Sequence, residues 1–269
     1  MPVKVIIARY GEIHLKGHNR GFFLNALMKN LESNVGNECE IAYENSRYIF
    51  SKFESTSEGI IMQKIAKTFG IISVSLCFCV HHEEILKHLE TIKIATTFKV
   101  VVNRADKSFP HTSMEFAAIA GGIILAQNPD AYVDVNKPAT VVNIDIRNMG
   151  KAFIYDNVTN GLGGMPVGTA GRGIVLLSGG IDSPCSAYLA SKRGLSVDFV
   201  HFASPPFTSE YSLDKVKRLG GVLQNYIGHA NIFVIPFTEI QEQIRKKCDA
   251  SYLITIMRQL ASHFLRICS

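Results

Sequence analysis

Leu176-Leu177-Ser178-Gly179-Gly180-Ile181-Asp182-Ser183-Pro184 is the stretch of this chain best suited to chemistry. An apolar run stops at two adjacent glycines, and an acid, a serine and a proline follow. Ser183 suits a helix cap and Pro184 a first helical turn, so the pattern predicts a strand, a tight loop and a helix whose first amides converge on one point. That point favours an anion. Glycines carry no Cβ to hold phosphate oxygens away, and a helix N-terminus adds about half a positive charge. Neither GxxxxGK[ST] nor GxGxxG is present, so neither a Walker site nor a dinucleotide loop is expected. Asp182 repels phosphate directly, which makes a bridging Mg²⁺ the expected partner of that acid.

Residues 166–269 must position this loop. GIVLL, SPCSAYLASKRG, SVDFVHF, TSEYSLDKVKRLGGVLQNYI, NIFVIPF, TEIQEQIRKK and SYLITIMRQLASHFLRI alternate strand and helix patterns. The rhythm predicts a parallel sheet covered by helices, with its ligand crevice at the strand ends. Such a sheet commonly has about five or six strands, and this stretch offers about three. Upstream, VKVIIA, NRGFFLNALMKNL, CEIAYE, SRYIFSKF and SEGIIMQKIAKTF read as strand, helix, strand, strand, helix. With ISVSLCFCV as the closing strand, that order predicts a small ferredoxin-like unit. A second mixed unit follows: helix EEILKHLETI, strand FKVVVNRA, helix SMEFAAIAGGIILAQ, and strands AYVDVN, TVVNIDIR and KAFIYDN. Pro110 precedes its second helix and Asn128-Pro129-Asp130 ends it. The glycine-rich stretch Asn160 to Gly173 reads as a linker or a tight crossover. Domain joins are therefore expected near residues 60 and 165, giving units 1–60, 61–165 and 166–269.

Composition bounds the function classes. With 269 residues, 47% hydrophobic and 19% charged, the chain is neither disordered nor, lacking a long unbroken apolar run, a membrane protein. The N-terminus lacks a secretory signal pattern, so a cytoplasmic location is expected. Six cysteines occur without a CxxC pair or zinc spacing, which predicts reduced thiols. Cys77 and Cys79 fall on one face of a strand and read as small buried hydrophobes, and Cys185 is expected to be buried in the loop helix. The net charge of +5 is concentrated in residues 166–269, with 11 basic and 7 acidic groups. Lys215 to Arg218 (KVKR) and Arg245 to Lys247 are candidate phosphate-facing clusters there, beside the commoner reading of solvated helix faces.

SGGIDS resembles the SGGxDS loop of PP-loop ATP pyrophosphatases, and the longer GMPVGTAGRGIVLLSGGIDSPCSAYLASKRG resembles the tRNA 4-thiouridine synthetase (tRNA sulfurtransferase) family. Arg9-Tyr10-Gly11-Glu12 with Leu15-Lys16-Gly17 and Asn19-Arg20 is similar to that family's opening, and Asn103 to Pro110 (NRADKSFP) to its THUMP signature. NPDAYVDVNKP and Ile144 to Arg147 follow in order, so the resemblance covers essentially the whole chain. It implies a mixed α/β and α+β protein: ferredoxin-like unit, THUMP RNA-binding domain, and a partial PP-loop domain of the adenine nucleotide alpha hydrolase type. It also implies adenylation of uridine 8 of tRNA by ATP and sulfur transfer from a persulfide to give 4-thiouridine, with sulfur transfer for thiamine thiazole synthesis as a further family role.

The resemblance maps the ATP site onto Leu176, Leu177, Ser178, Gly179, Gly180, Asp182, Ser183, His201, Phe202 and Arg258, with Ser178 and Asp182 in the catalytic roles. For tRNA it points to Arg104, Lys107 and Phe109, the last as a stacking surface, and to Arg9, Lys16 and Arg20 on the same face. Implied partners are tRNA, a cysteine desulfurase or other persulfide donor, and a second copy in a homodimer. The family's sulfur-handling cysteine lies downstream of residue 269, and Cys248 and Cys268 do not match it, so a C-terminally truncated enzyme is expected. The alternative is a tRNA-binding THUMP module with a vestigial nucleotide fold.

Overall fold

The computed structural model describes residues 2–268, for Glu210 and residues 265–268 through their backbone alone. In chain order, β1 (Val3–Tyr10), α1 (Arg20–Val35), β2 (Glu40–Glu44), β3 (Arg47–Ser51), α2 (Glu58–Ala66) and β4 (Ile71–His81) come first. Then follow α3 (Ile85–Leu89), β5 (Thr97–Arg104), α4 (Ser113–Gln127), β6 (Tyr132–Val133), β7 (Thr140–Ile146), β8 (Lys151–Tyr155) and β9 (Thr159–Asn160). The remainder is β10 (Arg172–Leu176), α5 (Asp182–Lys192), β11 (Ser196–Ala203), α6 (Glu210–Ile227), β12 (Ile232–Pro236), α7 (Thr238–Lys247) and α8 (Leu253–Cys268). No described helix is long and apolar enough to cross a membrane.

Two compact units result. The first, residues 1–9, 37–66 and 72–160, is built on a nine-stranded sheet in the order β2-β3-β1-β4-β8-β7-β5-β6, with β9 against β4. The order β2-β3-β1-β4 is the ferredoxin-like arrangement expected from the sequence. The sheet curls: Arg47 on β3 and Asp145 on β7 form a buried ion pair although three strands stand between them in the order. Arg147 Nη2 adds a second contact to Asp145 Oδ1 at 2.7 Å. Val5, Ile7, Cys77 and Phe153 pack inside the curl, with Cys79 against them, and burial pushes the Cys77 thiol up to about 12. Cys77 is thus the small buried hydrophobe its spacing predicted, while Cys79 is only half-buried beside it.

A second core in this unit joins Phe98, Phe116, Ala120, Ile124, Val142, Ile144 and Ile154 beneath α3 and α4. Helix α4 starts on a capping box: the Glu115 amide donates to Thr112 Oγ1 at 3.3 Å and the Thr112 amide to Glu115 Oε2 at 2.8 Å. It ends at Asn128, whose Nδ2 donates to Ile124 O and Ile92 O while Oδ1 accepts from the Ile94 amide. Two expected elements are shorter than their patterns. The strand AYVDVN reduces to Tyr132–Val133, because Asp134 Oδ1 accepts from the Asn136 and Lys137 amides at 2.9 Å and bends the chain into a turn. The helix expected through Ile92 ends at Leu89, with Thr91 Oγ1 donating to His88 O.

The second unit comprises residues 10–36, 67–71 and 161–269. Its sheet is parallel, in the order β10-β11-β12, with Leu176 opposite Val200 and His201 opposite Val234. Leu177, Ala187, Val197, Phe199, Val216, Leu223 and Ile227 form its core together with Phe69. Helix α1 belongs here. It buries Phe23, Leu27, Leu31 and Val35, one residue per turn along one face, and Asn30 Nδ2 donates to Val167 O at 3.2 Å. The stretch after Asn160 is a tight crossover rather than a linker. Gly163 exchanges backbone bonds with Ile71 and Gly70 at 2.7 and 2.8 Å, and at Gly164 (φ +79) a Cβ would stand 2.4 Å from Lys192 O.

Candidate functional site

Strand β10 delivers Leu176 and Leu177 to the loop, and the loop closes on itself through its two serines. The Ser178 amide donates to Ser183 Oγ at 3.0 Å, the two hydroxyls lie 3.2 Å apart, and the Gly180 amide donates to Ser178 Oγ at 3.3 Å. Helix α5 begins at Asp182, with Ile181 at the cap position and no side chain capping it. The expected Ser183 cap is thus corrected: Ser183 sits inside the first turn, and its hydroxyl ties the loop back to Ser178. Among the described residues, the amides of Gly179, Ile181, Asp182 and Ser183 have no hydrogen-bond partner. These are orphan donors of a helix start, which an anion satisfies. Neither Gly179 nor Gly180 has a positive φ, so what the glycines provide is close approach rather than an unusual backbone.

At the end of β11, His201 is 8% exposed and its Nδ1 lies 3.0 Å from Leu177 O. A carbonyl can only accept, so Nδ1 carries the hydrogen in that bond. Nε2 is buried without a partner, an acceptor position left open beside the loop strand when the ring is neutral. Phe202 packs edge-on to Phe237 at 5.0 Å and lines a cavity of about 360 Å³ together with Phe207, Met257 and Arg258. Arg258 is exposed on α8 and stands in the wall of that cavity rather than among the hydrogen bonds of the loop. The structure therefore joins Ser178 to Ser183, Leu177 to His201, and Phe202 to Arg258, all in one unit.

Asp182 is exposed and carries no ion pair among the described residues. Among the described residues, no cluster of three or more His, Cys, Asp or Glu side chains is placed to hold a metal there. A cation at Asp182 would therefore take one protein carboxylate and draw its other ligands from phosphate oxygens and water, a donor set that suits Mg²⁺. Cys185, expected to be buried, is exposed. The inward positions of α5 are Ala187 and Ser191, four apart, and Cys185 lies on the opposite side. The side chain of Cys268 lies outside the described residues.

The residues expected to face RNA separate into different environments. Lys107 is exposed. Arg104 Nη1 donates to Phe109 O and His111 O, both at 3.0 Å, and so shapes the loop it belongs to. Phe109 corrects the expected stacking surface: it is 8% exposed, and its ring meets Phe116 edge-on at 4.9 Å inside the α4 core. Arg9 lies over the Tyr155 ring at 4.7 Å and donates to Ser75 Oγ at 3.1 Å, within the curl of the first unit. Lys16 and Arg20 belong to the second unit, Lys16 over Phe23 at 4.9 Å and Arg20 bonded to Tyr10 Oη. One neighbour escaped the sequence reading of the loop itself. A methyl group at Gly179 would stand 3.3 Å from Lys215 Cδ on α6. The KVKR cluster was the available signal, and it did not say which lysine turns toward the glycines.

Comparison with known proteins agrees with this layout. Family models match as "ThiI ferredoxin-like domain" over residues 5–75, "THUMP domain" over 83–155 and "Thiamine biosynthesis protein (ThiI)" over 168–269. A protein of Thermoanaerobacter sp. (strain X514) named "Probable tRNA sulfurtransferase" is 38% identical over 95% of this chain and 68% of its own length. One of the same name from Brevibacillus brevis is 39% identical over 96% of this chain and 67% of its own. Among solved structures, a 4-thiouridine synthetase in complex with RNA and bound ATP superposes with a TM-score of 0.87 at 33% identity, covering 99% of this chain and 70% of that one. A protein from Pyrococcus horikoshii Ot3 superposes at 0.75 with 29% identity, covering 90% and 82%.

Proposed function

Because the chain belongs to the tRNA sulfurtransferase family, we propose that it binds ATP at the Ser178–Ser183 loop and tRNA through its N-terminal segments, and activates uridine 8 for thiolation. In this reading O4 of the uridine attacks the α-phosphorus of ATP and pyrophosphate departs into the loop. The outer sulfur of a persulfide then attacks C4 as AMP leaves, and a second thiol takes the inner persulfide sulfur as a disulfide, freeing 4-thiouridine. The observation that carries it is the set of unpartnered amides at residues 179 and 181–183 on the end of a parallel strand, tied in place by the Ser178–Ser183 contacts. Such fixed donors stabilise charge as it builds on a leaving pyrophosphate.

Each residue has a role in that step. Ser178 and Ser183 hold the loop, and Asp182 would hold Mg²⁺, whose charge would offset that of the phosphates. His201 Nε2 accepts from the adenine amine, while Leu176, Leu177 and Phe202 frame the base. Arg258 serves the α-phosphate as a planar cationic fork. Lys107 contacts the RNA backbone, Arg104 supports it by holding residues 104–111 in shape, and Arg9, Lys16 and Arg20 add positive charge in their own segments. A division into three units, taken as 1–60, 61–165 and 166–269, is supported in its order by three separate family matches, which run over residues 5–75, 83–155 and 168–269. Sulfur would come from a cysteine desulfurase or another persulfide donor. Supply of sulfur to thiamine synthesis is a further role, supported by the name of the matching family model. Work in the cytoplasm and a homodimeric state complete the reading.

The test incubates the chain with unmodified tRNA, ATP, Mg²⁺ and a persulfide donor. Expected is tRNA-dependent release of pyrophosphate, with 4-thiouridine among the digested nucleosides, by mass spectrometry, once the family's sulfur-handling cysteine segment is supplied in the same protein. Binding of tRNA with no nucleotide binding at all would favour the vestigial alternative.

A further inference from the structure

The loop has charged surroundings that its own residues do not explain. Helix α6 buries Val216 completely, with Leu223 and Ile227 two and three turns on, and this fixes the direction of its neighbours. Lys215, adjacent to that anchor, is exposed at its tip but lays its stem along Gly179. From the point where a Gly179 Cβ would sit, Lys215 Cδ lies at 3.3 Å, and Cε and Nζ both lie at 3.9 Å. No carboxylate pairs with Lys215 among the described residues. An ammonium with no counter-ion thus stands beside amides with no acceptor, and both need the same thing.

We propose that Lys215 is a further residue of the pyrophosphate site, its ammonium taking a non-bridging oxygen of the β- or γ-phosphate. The proposal rests on the reading of the loop given above. It also gives Gly179 a physical reason: a side chain there would crowd the lysine stem, so the glycine admits the cation as well as the phosphate. A flexible lysine suits this place, since it acts as a compact point charge on a terminal phosphate rather than as a planar fork.

Calorimetric titration of the purified chain with inorganic pyrophosphate, ATP and AMP, all with Mg²⁺, tests it. Lys215→Met is expected to weaken pyrophosphate and ATP by about 10- to 100-fold, the range of one hydrogen bond to a charged group, and to leave AMP within about twofold. Lys215→Arg keeps most of the affinity, and Lys217→Met, a charge removed two positions along the same helix, leaves all three ligands unchanged. Equal losses in the Lys215 and Lys217 variants would make the effect one of general charge and overturn the assignment. So would weakened tRNA binding by Lys215→Met with pyrophosphate unaffected. If the unaltered chain binds pyrophosphate and Lys215→Met binds it equally, only the lysine's role falls; if the unaltered chain binds neither pyrophosphate nor ATP, the reading of the loop falls with it.

Discussion

Arg47, Asp145 and Arg147 in the first unit, and Asp182 and Lys215 in the second, are groups of opposite charge treated in opposite ways. In the curled sheet, Asp145 is 3% exposed and held by two guanidinium groups, so its charge is spent on joining β3 to β7. Around the glycine loop, acid and base stay apart, exposed and without partners, and the amides between them are equally unmet. A buried pair whose charges satisfy each other is a fold device; fixed charges left unsatisfied on a preorganised backbone are what a ligand can complete. Burial and ion pairing alone would have pointed to the wrong unit.

The sharpest way to break this contrast is Asp145→Ala. It strands Arg47, whose side chain is 9% exposed, and is expected to lower unfolding stability by about 3–5 kcal/mol in urea titration. Nucleotide affinity of the folded fraction should not change. Asp182→Asn should do the reverse. It is expected to reduce tRNA-dependent pyrophosphate release by about 10²- to 10³-fold while the unfolding free energy from urea titration moves by no more than about 0.5 kcal/mol. A destabilised Asp182→Asn protein with proportionate activity would erase the distinction. Ser183→Ala removes the acceptor for the Ser178 amide and should weaken ATP by roughly 10-fold, read by the same calorimetry. Smallest is Thr112→Ala in the α4 cap, expected to cost about 1 kcal/mol of stability with no effect on either ligand.

The carboxylate half of the same cap carries a pH signature. Hydrogen bonding to the Thr112 backbone amide, and then to its side chain, holds the Glu115 carboxyl below its ordinary value of 4.5. A carboxylate whose pKa is depressed on folding stabilises above its unfolded pKa, and the contribution is lost as pH falls through the folded one. Stability of the unaltered chain should therefore approach that of Glu115→Ala as the pH drops below 4.5. A gap that stays constant down to the acid limit would show that the carboxylate half of the box contributes nothing.

Residue types and spacing alone established the strand, loop and helix around Ser178 to Ser183, the parallel rhythm after it, the ferredoxin-like order before it and the end of α4 at Asn128. Those features rest on hydrogen bonds and side-chain periodicities that span a few residues, so a local reading reaches them. Other facts required distant segments to meet. Arg47 finds Asp145 across 98 positions because the sheet curls, Lys215 reaches Gly179 because Val216 sets the roll of α6, and Phe109 turns inward because Phe116 offers its ring an edge. Cys185 faces water for the same kind of reason, since Ala187 and Ser191 take the inner side of α5. Sequence periodicity says that a helix has two faces; only the surface packed against it selects which residue at the boundary is covered and which is left for a ligand.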